Sequence, residues 1–204
     1  MVTLVGRYAS PFVRRVAVTL QALGIPYERQ VISSLTDQDK LRTVNPVGRV
    51  PALVLDDGEA LIDSAAILDY IDEIAGPERA LTPPRGAARR KVLKTTALMT
   101  GAVEKVVATL YERNRRPPEK VHQPWIDHCT GQALSALTTL EGDAGKSWLV
   151  GDRMTQADVT VAVGYDFLRR TQAALVPDGK FPKLAALSAR CENLPAFQNA
   201  RPEV

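Results

Sequence analysis

The sequence predicts an α/β domain followed by an all-helical domain. Three observations support this prediction: strand and helix patterns alternate up to residue 77, a stretch with three prolines and two glycines covers 76–90, and strand signals vanish beyond it. Alternating strands and helices favour a layered α/β domain, whereas consecutive helices favour a bundle. We therefore predict a first domain at 1–77, a linker at 78–87 and a helical domain at 88–204.

The first three elements are predicted to form a βαβ unit. Residues 2–5 are a short β-prone run, and Pro11 opens a helical pattern that ends at Gly24. A glycine just past the last apolar position, followed by Pro26, is typical of a helix end. Residues 27–32 return to a strand pattern, and the intervening helix predicts that the two strands are parallel.

The rest of the first domain is predicted as a short helix, a hairpin and a third helix. The short helix covers 36–44. The hairpin strands cover 51–55 and 59–62, with the turn sequence DDG between them. Asp63 or Ser64 then caps a helix whose apolar positions recur at helical spacing. Those positions are Ile67, Leu68, Ile71 and Ile74.

Four helices are predicted for the second domain. Apolar residues recur at helical spacing along the long ones, and no strand pattern interrupts the series. The helices cover 88–113, 119–141, 155–171 and 182–193. The third begins with the sequence TQAD, which has the form of a capping box with Asp in place of Glu or Gln. We interpret this motif as structural rather than catalytic.

Composition and charge argue against a dedicated nucleic-acid-binding protein. Hydrophobic residues make up 45% of the chain and charged residues 24%, an ordinary globular mixture. The net charge is +3, and both signs are scattered along the chain. The nearest basic cluster, over 113–120, is interrupted by two prolines. We interpret it as a solvated helix end, with binding of a small anion as the alternative.

Cysteine and histidine usage predicts no metal site. Cys129 and Cys191 are far apart and form no CxxC motif. His122 and His128 lack the three- or four-residue spacing of paired ligands on one helix face. The N-terminal residues show no secretory or membrane-spanning run, so we expect a cytoplasmic protein without a membrane partner.

Four segments, in this order and spacing, resemble the cytosolic glutathione transferase family over essentially the whole chain. They are YASPFVRRVAVTLQALGIPYE, NPVGRVPALVLDDG, LIDSAAILDYID and SWLVGDRMTQADVTVA. The resemblance implies a thioredoxin-like N-terminal domain, an all-helical C-terminal domain and a serine-type, bacterial-like member. It also implies glutathione as a co-substrate with no further cofactor, a homodimer, and a role in detoxification.

The resemblance assigns glutathione binding to two short motifs. Asp63 would take the α-ammonium, and the Ser64 hydroxyl and backbone N–H at a helix start would bind the α-carboxylate. The alternative is that both residues only cap the helix. The Val50 main chain would pair with the cysteinyl part of glutathione, next to a cis Pro51. Arg49 would either reach a glutathione carboxylate or lie in solvent.

Ser10 has two interpretations. Serine followed by proline is a standard helix opening, with Ser10 as N-cap and Pro11 as the first helical residue. The same position is where serine-type members of the family keep their activating hydroxyl, so we predict that Ser10 stabilises the glutathione thiolate. Tyr8 is the rival hydroxyl. The first domain contains no cysteine, which argues against glutaredoxin-type disulfide exchange.

The second substrate is expected between the domains, and we expect it to be a small hydrophobic electrophile. The predicted walls are Tyr8, Pro11 and Phe12 from the first domain and Val103, Val107 and Tyr111 from the second. An apolar stripe at helical spacing is also typical of an ordinary core. The YASPF sequence is not the serine-cysteine stretch of the maleylacetoacetate isomerase branch, so isomerase activity is not assigned. The alternative to an enzyme is a non-catalytic ligand-binding or regulatory protein that keeps the scaffold.

Overall fold

The computed structural model describes residues 1–145 and 147–203. Internal contacts divide the chain into two compact units. The first contains Met1–Gly86 together with the segment that begins at Cys191, and the second contains Ala87–Arg190. The final segment thus packs with the first unit, whereas the sequence groups it with the helices.

The elements follow the predicted order with one addition. They are β1 Val2–Val5, α1 Pro11–Leu23, β2 Tyr27–Gln30, α2 Gln38–Arg42, β3 Ala52–Val54, β4 Ala60–Ile62, α3 Ser64–Ala75, α4 Gly86–Arg115, α5 Gln123–Asp143, α6 Gln156–Thr171, α7 Pro182–Glu192 and α8 Pro195–Gln198. The four-residue α8 was not predicted. β1 has the predicted bounds, whereas β2, β3 and β4 are shorter than predicted; β2 ends at Gln30 rather than at residue 32.

The first unit contains a four-stranded mixed sheet in the order β2-β1-β3-β4. β1 and β2 are parallel, as the βαβ pattern predicts, while β3 is antiparallel to both β1 and β4. The fold class is confirmed: a small mixed-sheet domain of thioredoxin-like type precedes a helical region.

Sequence signals at both ends of α1 account for its bounds. Ser10 is the N-cap with extended backbone angles, and Pro11 occupies the first helical position. Gly24 adopts the left-handed conformation at φ 64°, and its N–H closes the helix on Gln21 and Leu20 carbonyls. Most of α1 is buried, which makes it the central helix of the unit.

The apolar stripe predicted on α3 is confirmed in its first three positions and wrong in the fourth. Ile67, Leu68 and Ile71 are buried. Ile74 is 49% exposed, because α3 ends at Ala75 and this position falls in its last turn.

The segment after α3 is packed rather than extended. The Asp72 carboxylate accepts hydrogen bonds from the backbone N–H groups of Leu81 at 2.8 Å and Thr82 at 3.1 Å. The Arg79 guanidinium donates to the Leu23 carbonyl. Proline and glycine therefore mark a region without helix or strand here, and side-chain bonds fix it to α1 and α3.

The predicted capping motif of α6 is the centre of a buried network in the second unit. Asp158 is fully buried. Its carboxylate accepts from the backbone N–H groups of Leu149 and Thr155 and from the Thr155 hydroxyl, each at 2.8 Å. Burial raises the pKa of Asp158, and these hydrogen bonds oppose that rise. One side chain thus joins the 149–155 loop to the start of α6.

Asp158→Ala should lower the free energy of unfolding by about 2–4 kcal/mol, since it leaves two buried backbone N–H groups without an acceptor. Thr155→Ser is the matched control, because it keeps the hydroxyl and removes only a buried methyl, at a cost of about 1 kcal/mol. Urea unfolding of both variants measures the difference. Equal losses would show that the carboxylate does not hold the loop.

Candidate functional site

One row of the sheet register determines which loops meet in the first unit. Val5 of β1 is opposite Ala52 of β3, and Ala52 is opposite Ile62 of β4. Val5 and Ala52 are fully buried and share a hydrophobic cluster with Ile32 and Leu41. Val5 ends its strand, Ala52 begins one, and Ile62 ends one. The loops attached to these three residues therefore leave the sheet at the same edge.

Those three loops carry the predicted catalytic and glutathione-binding residues. The loop after β1 leads to Ser10, the loop before β3 contains Val50-Pro51, and β4 runs directly into Asp63-Ser64. Antiparallel pairing of β3 with both of its neighbours is what brings one strand start beside two strand ends.

Gly6 allows the first two loops to approach closely. It has φ 134°, a conformation that side chains rarely adopt. A Cβ atom at this position would lie 2.6 Å from Cγ2 of Val13 and 3.1 Å from Cβ of Val50. The loop after β1 is therefore in contact with both the first turn of α1 and the loop before β3.

The Ser10 hydroxyl caps α1 only weakly. Its Oγ accepts from the Val13 N–H at 3.5 Å, beyond the usual 2.7–3.2 Å of an N–H···O hydrogen bond. The residue is partly buried, and the first turn of α1 contains no acidic residue. Within the described residues the hydroxyl donates to no acceptor. The geometry leaves this O–H, at the positive end of a helix, available to an anion.

Asp63 is a true cap with an unusual backbone. Its Oδ1 accepts from the Ala65 N–H at 2.9 Å, a normal hydrogen bond. It has φ 67°, a region that few residues other than glycine adopt. Its side chain remains exposed. Backbone strain of this kind is concentrated at binding and catalytic sites.

Arg15 also lies at the candidate site, although it was not predicted from the sequence. It is 4% exposed, and its Nη2 donates to the Ser64 Oγ at 2.7 Å. Ser64 is itself buried, at the start of α3. The bond brings a guanidinium next to a helix N-terminus, so positive charge and N–H donors are concentrated there. Two consecutive arginines within a mostly apolar helix were the available signal, because both cannot reach solvent from its buried face.

The loop before β3 has the predicted cis peptide bond between Val50 and Pro51. The buried Asn45 fixes this loop: its Nδ2 donates to the Arg49 carbonyl at 2.7 Å, and its Oδ1 accepts from Val47 N–H at 3.0 Å. Within residues 1–145 and 147–203, the backbone N–H and C=O of Val50 have no hydrogen-bond partner. The Arg49 side chain is exposed.

Tyr8 is directed to a different neighbour. Its hydroxyl lies 2.7 Å from the Tyr27 hydroxyl on β2. Burial raises the pKa of Tyr8, and the hydrogen bond with Tyr27 adds to this. Tyr8 also lines a groove of about 500 Å³ together with Gln21, Tyr27 and Arg29. Tyr8 thus shares its hydroxyl with Tyr27, whereas the Ser10 O–H donates to no acceptor within the described residues.

The predicted second-substrate residues belong to different units. In the first unit Pro11 is buried and Phe12 is partly buried. In the second unit Val103 is buried, Val107 is partly buried and Tyr111 is 50% exposed. A pocket formed by the two groups stays a prediction.

Within residues 1–145 and 147–203 we find neither a metal site nor a membrane-spanning helix. No group of three or more His, Cys, Asp or Glu side chains there could hold a metal ion. No helix in these ranges combines the length and apolar character needed to cross a membrane. Cys191 groups with the first unit but is fully buried in α7.

Comparisons with known proteins match both parts of the chain. The family model of the glutathione S-transferase N-terminal domain matches residues 4–79, and that of the C-terminal domain matches residues 102–199. A maleylacetoacetate isomerase of Pseudomonas aeruginosa is 33% identical over 96% of this chain and 93% of its own length.

Two solved structures cover 100% of this chain and of their own. A glutathione S-transferase of Methylobacillus flagellatus with glutathione bound has a TM-score of 0.92 and 27% identity. A glutathione transferase family member of Pseudomonas fluorescens, also with bound glutathione, has a TM-score of 0.89 and 31% identity.

Gly6→Ala should lower the free energy of unfolding by about 2–4 kcal/mol, since its methyl group would meet Val13 in an unfavourable backbone conformation. Gly24→Ala is the control: Gly24 also has positive φ, but nothing lies within 4 Å of an added Cβ. We expect a loss of about 1 kcal/mol there. Urea unfolding of both variants separates close approach from backbone strain. A similar loss in both would contradict the close contact at Gly6.

Proposed function

The chain belongs to the glutathione S-transferase family, and from this premise we propose that it binds glutathione and activates its thiol for attack on a small hydrophobic electrophile. The observation that carries the proposal is the Ser10 hydroxyl, which stands at the start of α1 with a long 3.5 Å capping contact. Capping uses a lone pair of the Ser10 oxygen and not its O–H, so the proton stays available for donation. This uncommitted O–H supports a role as donor to a thiolate.

Ser10 needs to lower the pKa of the bound thiol only modestly. A free thiol has a pKa of about 8.5, and only its thiolate is a good nucleophile. A charge-assisted hydrogen bond contributes about 1.5–3 kcal/mol, which would lower the pKa of the bound thiol by roughly one to two. The thiolate then becomes a substantial fraction of bound glutathione at neutral pH.

The peptide ends of glutathione fit the charges at the start of α3. The exposed Asp63 carboxylate would pair with the α-ammonium. The α-carboxylate would accept from the Ser64 hydroxyl and the N-terminal backbone of α3. Because Arg15 donates to the Ser64 Oγ, the Ser64 proton is left to point toward that carboxylate. The arginine also adds positive charge beside it.

The cysteinyl part of glutathione would lie along the loop before β3. The backbone N–H and C=O of Val50 have no partner among the described residues, which supports this, since an extended peptide can add to them as a short strand. Pro51 has no N–H to donate, so the pairing would be confined to Val50.

The proposed reaction has two steps. The thiol loses its proton to solvent, and Ser10 donates a hydrogen bond to the sulfur anion. The thiolate then attacks an electrophilic carbon, forming a C–S bond while the leaving group departs with the electron pair of the broken bond. Ser10 keeps its own proton throughout.

Isomerisation is the second candidate, and the isomerase relative from Pseudomonas aeruginosa supports it. A thiolate can add to a conjugated cis double bond, allow rotation about the resulting single bond, and leave again to give the trans isomer. This reaction needs the same bound thiolate and no leaving group. Parallel assays with maleylacetoacetate and with chlorodinitrobenzene distinguish the two candidates.

Family membership also supports three expectations that stay predictions. These are a homodimer, a cytoplasmic location and a role in detoxification. A small electrophile is the proposed second substrate, whereas nucleic acid, membrane and an additional cofactor are not proposed as partners.

Ser10→Ala should raise the pKa of bound glutathione toward that of the free thiol. We expect kcat with chlorodinitrobenzene to fall by about tenfold or more near pH 7, with KM for glutathione nearly unchanged. The deficit should narrow at higher pH, where the thiol ionises in both proteins. Thiolate absorbance and turnover measured across pH test this expectation.

Two further variants check which hydroxyl acts. Ser10→Thr keeps a hydroxyl and should retain much of the lowered pKa, while Tyr8→Phe should leave the pKa of the bound thiol unchanged. A rise in that pKa in Tyr8→Phe alone would transfer the role to Tyr8. Glutathione binding by the wild type without any lowering of the pKa would instead support the non-catalytic alternative.

Asp63→Asn should weaken glutathione binding by roughly tenfold, because the amide keeps the cap on Ala65 but loses the charge that attracts the ammonium. Asp57→Asn is the matched control: Asp57 likewise accepts from a backbone N–H two residues on, in the turn at the other end of the hairpin. Calorimetric titration and thermal unfolding of both variants separate binding from stability. Wild-type affinity in Asp63→Asn would mean that the residue is only a cap.

A further inference from the structure

The segment that returns to the first unit holds α1 directly after Ser10. Arg14 is fully buried; its Nε donates to the Ala200 carbonyl at 2.9 Å and its Nη2 to the Glu192 carboxylate at 2.6 Å. The Arg14 backbone N–H in turn donates to the Ser10 carbonyl at 2.9 Å. The first turn of α1 is thus fixed to residues nearly two hundred positions away.

Glu203 of the same segment holds the chain directly before Ser10. Its Oε2 accepts from the Ala9 N–H at 2.9 Å. Its carboxylate also forms an ion pair with Arg29, whose guanidinium carbon lies 3.6 Å from the centre of the Tyr8 ring. Two adjacent residues of the loop are therefore held, one by a hydrogen bond and one by a stacked cation.

These contacts add to the bond at 3.0 Å from the Ser10 N–H to the Arg7 carbonyl in fixing the hydroxyl position. The capping contact of Ser10 is too long to fix its side chain, and Gly6 gives the loop an unusually permissive residue. The Ala9 N–H bond is charge-assisted, and the Glu203 side chain is only 27% exposed. A shift of the Ala9 peptide would move Ser10, because the two residues share that backbone.

We propose that Glu203 is a positioning residue for Ser10, acting through the hydrogen bond that its carboxylate accepts from the Ala9 backbone N–H. The inference rests on the proposed function, since it assigns to Ser10 the thiolate of bound glutathione. Acting in this way, Glu203 need not touch glutathione. It holds the donor hydroxyl at the distance at which the thiolate is stabilised.

Three variants separate this role from charge and from packing. Glu203→Ala removes the acceptor, Glu203→Gln keeps an acceptor oxygen for Ala9 but removes the charge, and Glu28→Ala removes an exposed carboxylate beside Arg29 on β2. Each is measured with glutathione and chlorodinitrobenzene for kcat, KM and the pKa of the bound thiol. Amide hydrogen exchange at Ala9 is followed by NMR.

For Glu203→Ala we expect kcat to fall by about threefold to tenfold, with a higher pKa of the bound thiol and a KM for glutathione within about twofold of wild type. Exchange at Ala9 should become faster. Glu203→Gln should restore most of the activity, and Glu28→Ala should match the wild type.

Three results would overturn the proposal. Faster exchange with unchanged kcat and thiol pKa would show that the contact only packs the segment. Equal losses in Glu203→Ala and Glu203→Gln would assign the effect to the ion pair with Arg29. A lowered thiol pKa in Glu203→Ala would show that the carboxylate acts as a repelling charge. A wild type that binds glutathione without lowering its thiol pKa would refute the proposed function itself, and that result is visible before any variant is made.

Discussion

The pairing of Val5 with Ala52 and of Ala52 with Ile62 is the constraint on which the candidate site depends. Because side chains alternate across a sheet, a slip of one residue would exchange the faces of β3 and place Leu53 where the smaller Ala52 is buried. It would also withdraw the loop before β3 from the other two loops. The buried cluster around Val5 and Ala52 opposes such a slip, so core packing and site geometry are fixed by the same contacts.

The N-cap residues of α1 and α3, which lie at this edge of the sheet, differ in how well they cap their helices. Asp63 makes a normal capping bond at 2.9 Å and still exposes its carboxylate. Ser10 makes a long one, and α1 tolerates this because Pro11 has no N–H to satisfy and Arg14 anchors the first turn elsewhere. The first turn of α1 is thus held by distant contacts as well as by its cap.

Local signals predicted most of the fold, because caps, turns and apolar periodicity each depend on residues that are close together in the sequence. The αL glycine after α1, the DDG hairpin and the capping motif at Asp158 are all of this kind. Arg15 and Glu203 were missed because their contacts join residues 49 and 194 positions apart. The two consecutive arginines indicate a buried charge but not its partner, and no local pattern indicates the bond between Glu203 and Ala9. The packed segment near Asp72 was missed for a related reason: proline and glycine indicate an irregular backbone but do not show what it contacts.

The grouping of residues beyond 190 with the first unit brings two distant parts of the sequence to the candidate site. The bond between Ala9 and Glu203 joins two parts of the first unit that the second unit separates in the sequence. The entropy of closing such a loop grows slowly with its length, so the separation itself costs little once the second unit is folded. The sheet edge is built from residues 2–62, whereas the proposed positioning of the Ser10 hydroxyl also depends on Glu203. If Glu203 positions Ser10, a substitution at residue 203 changes the reactivity of the site while the sheet and its loops keep their fold.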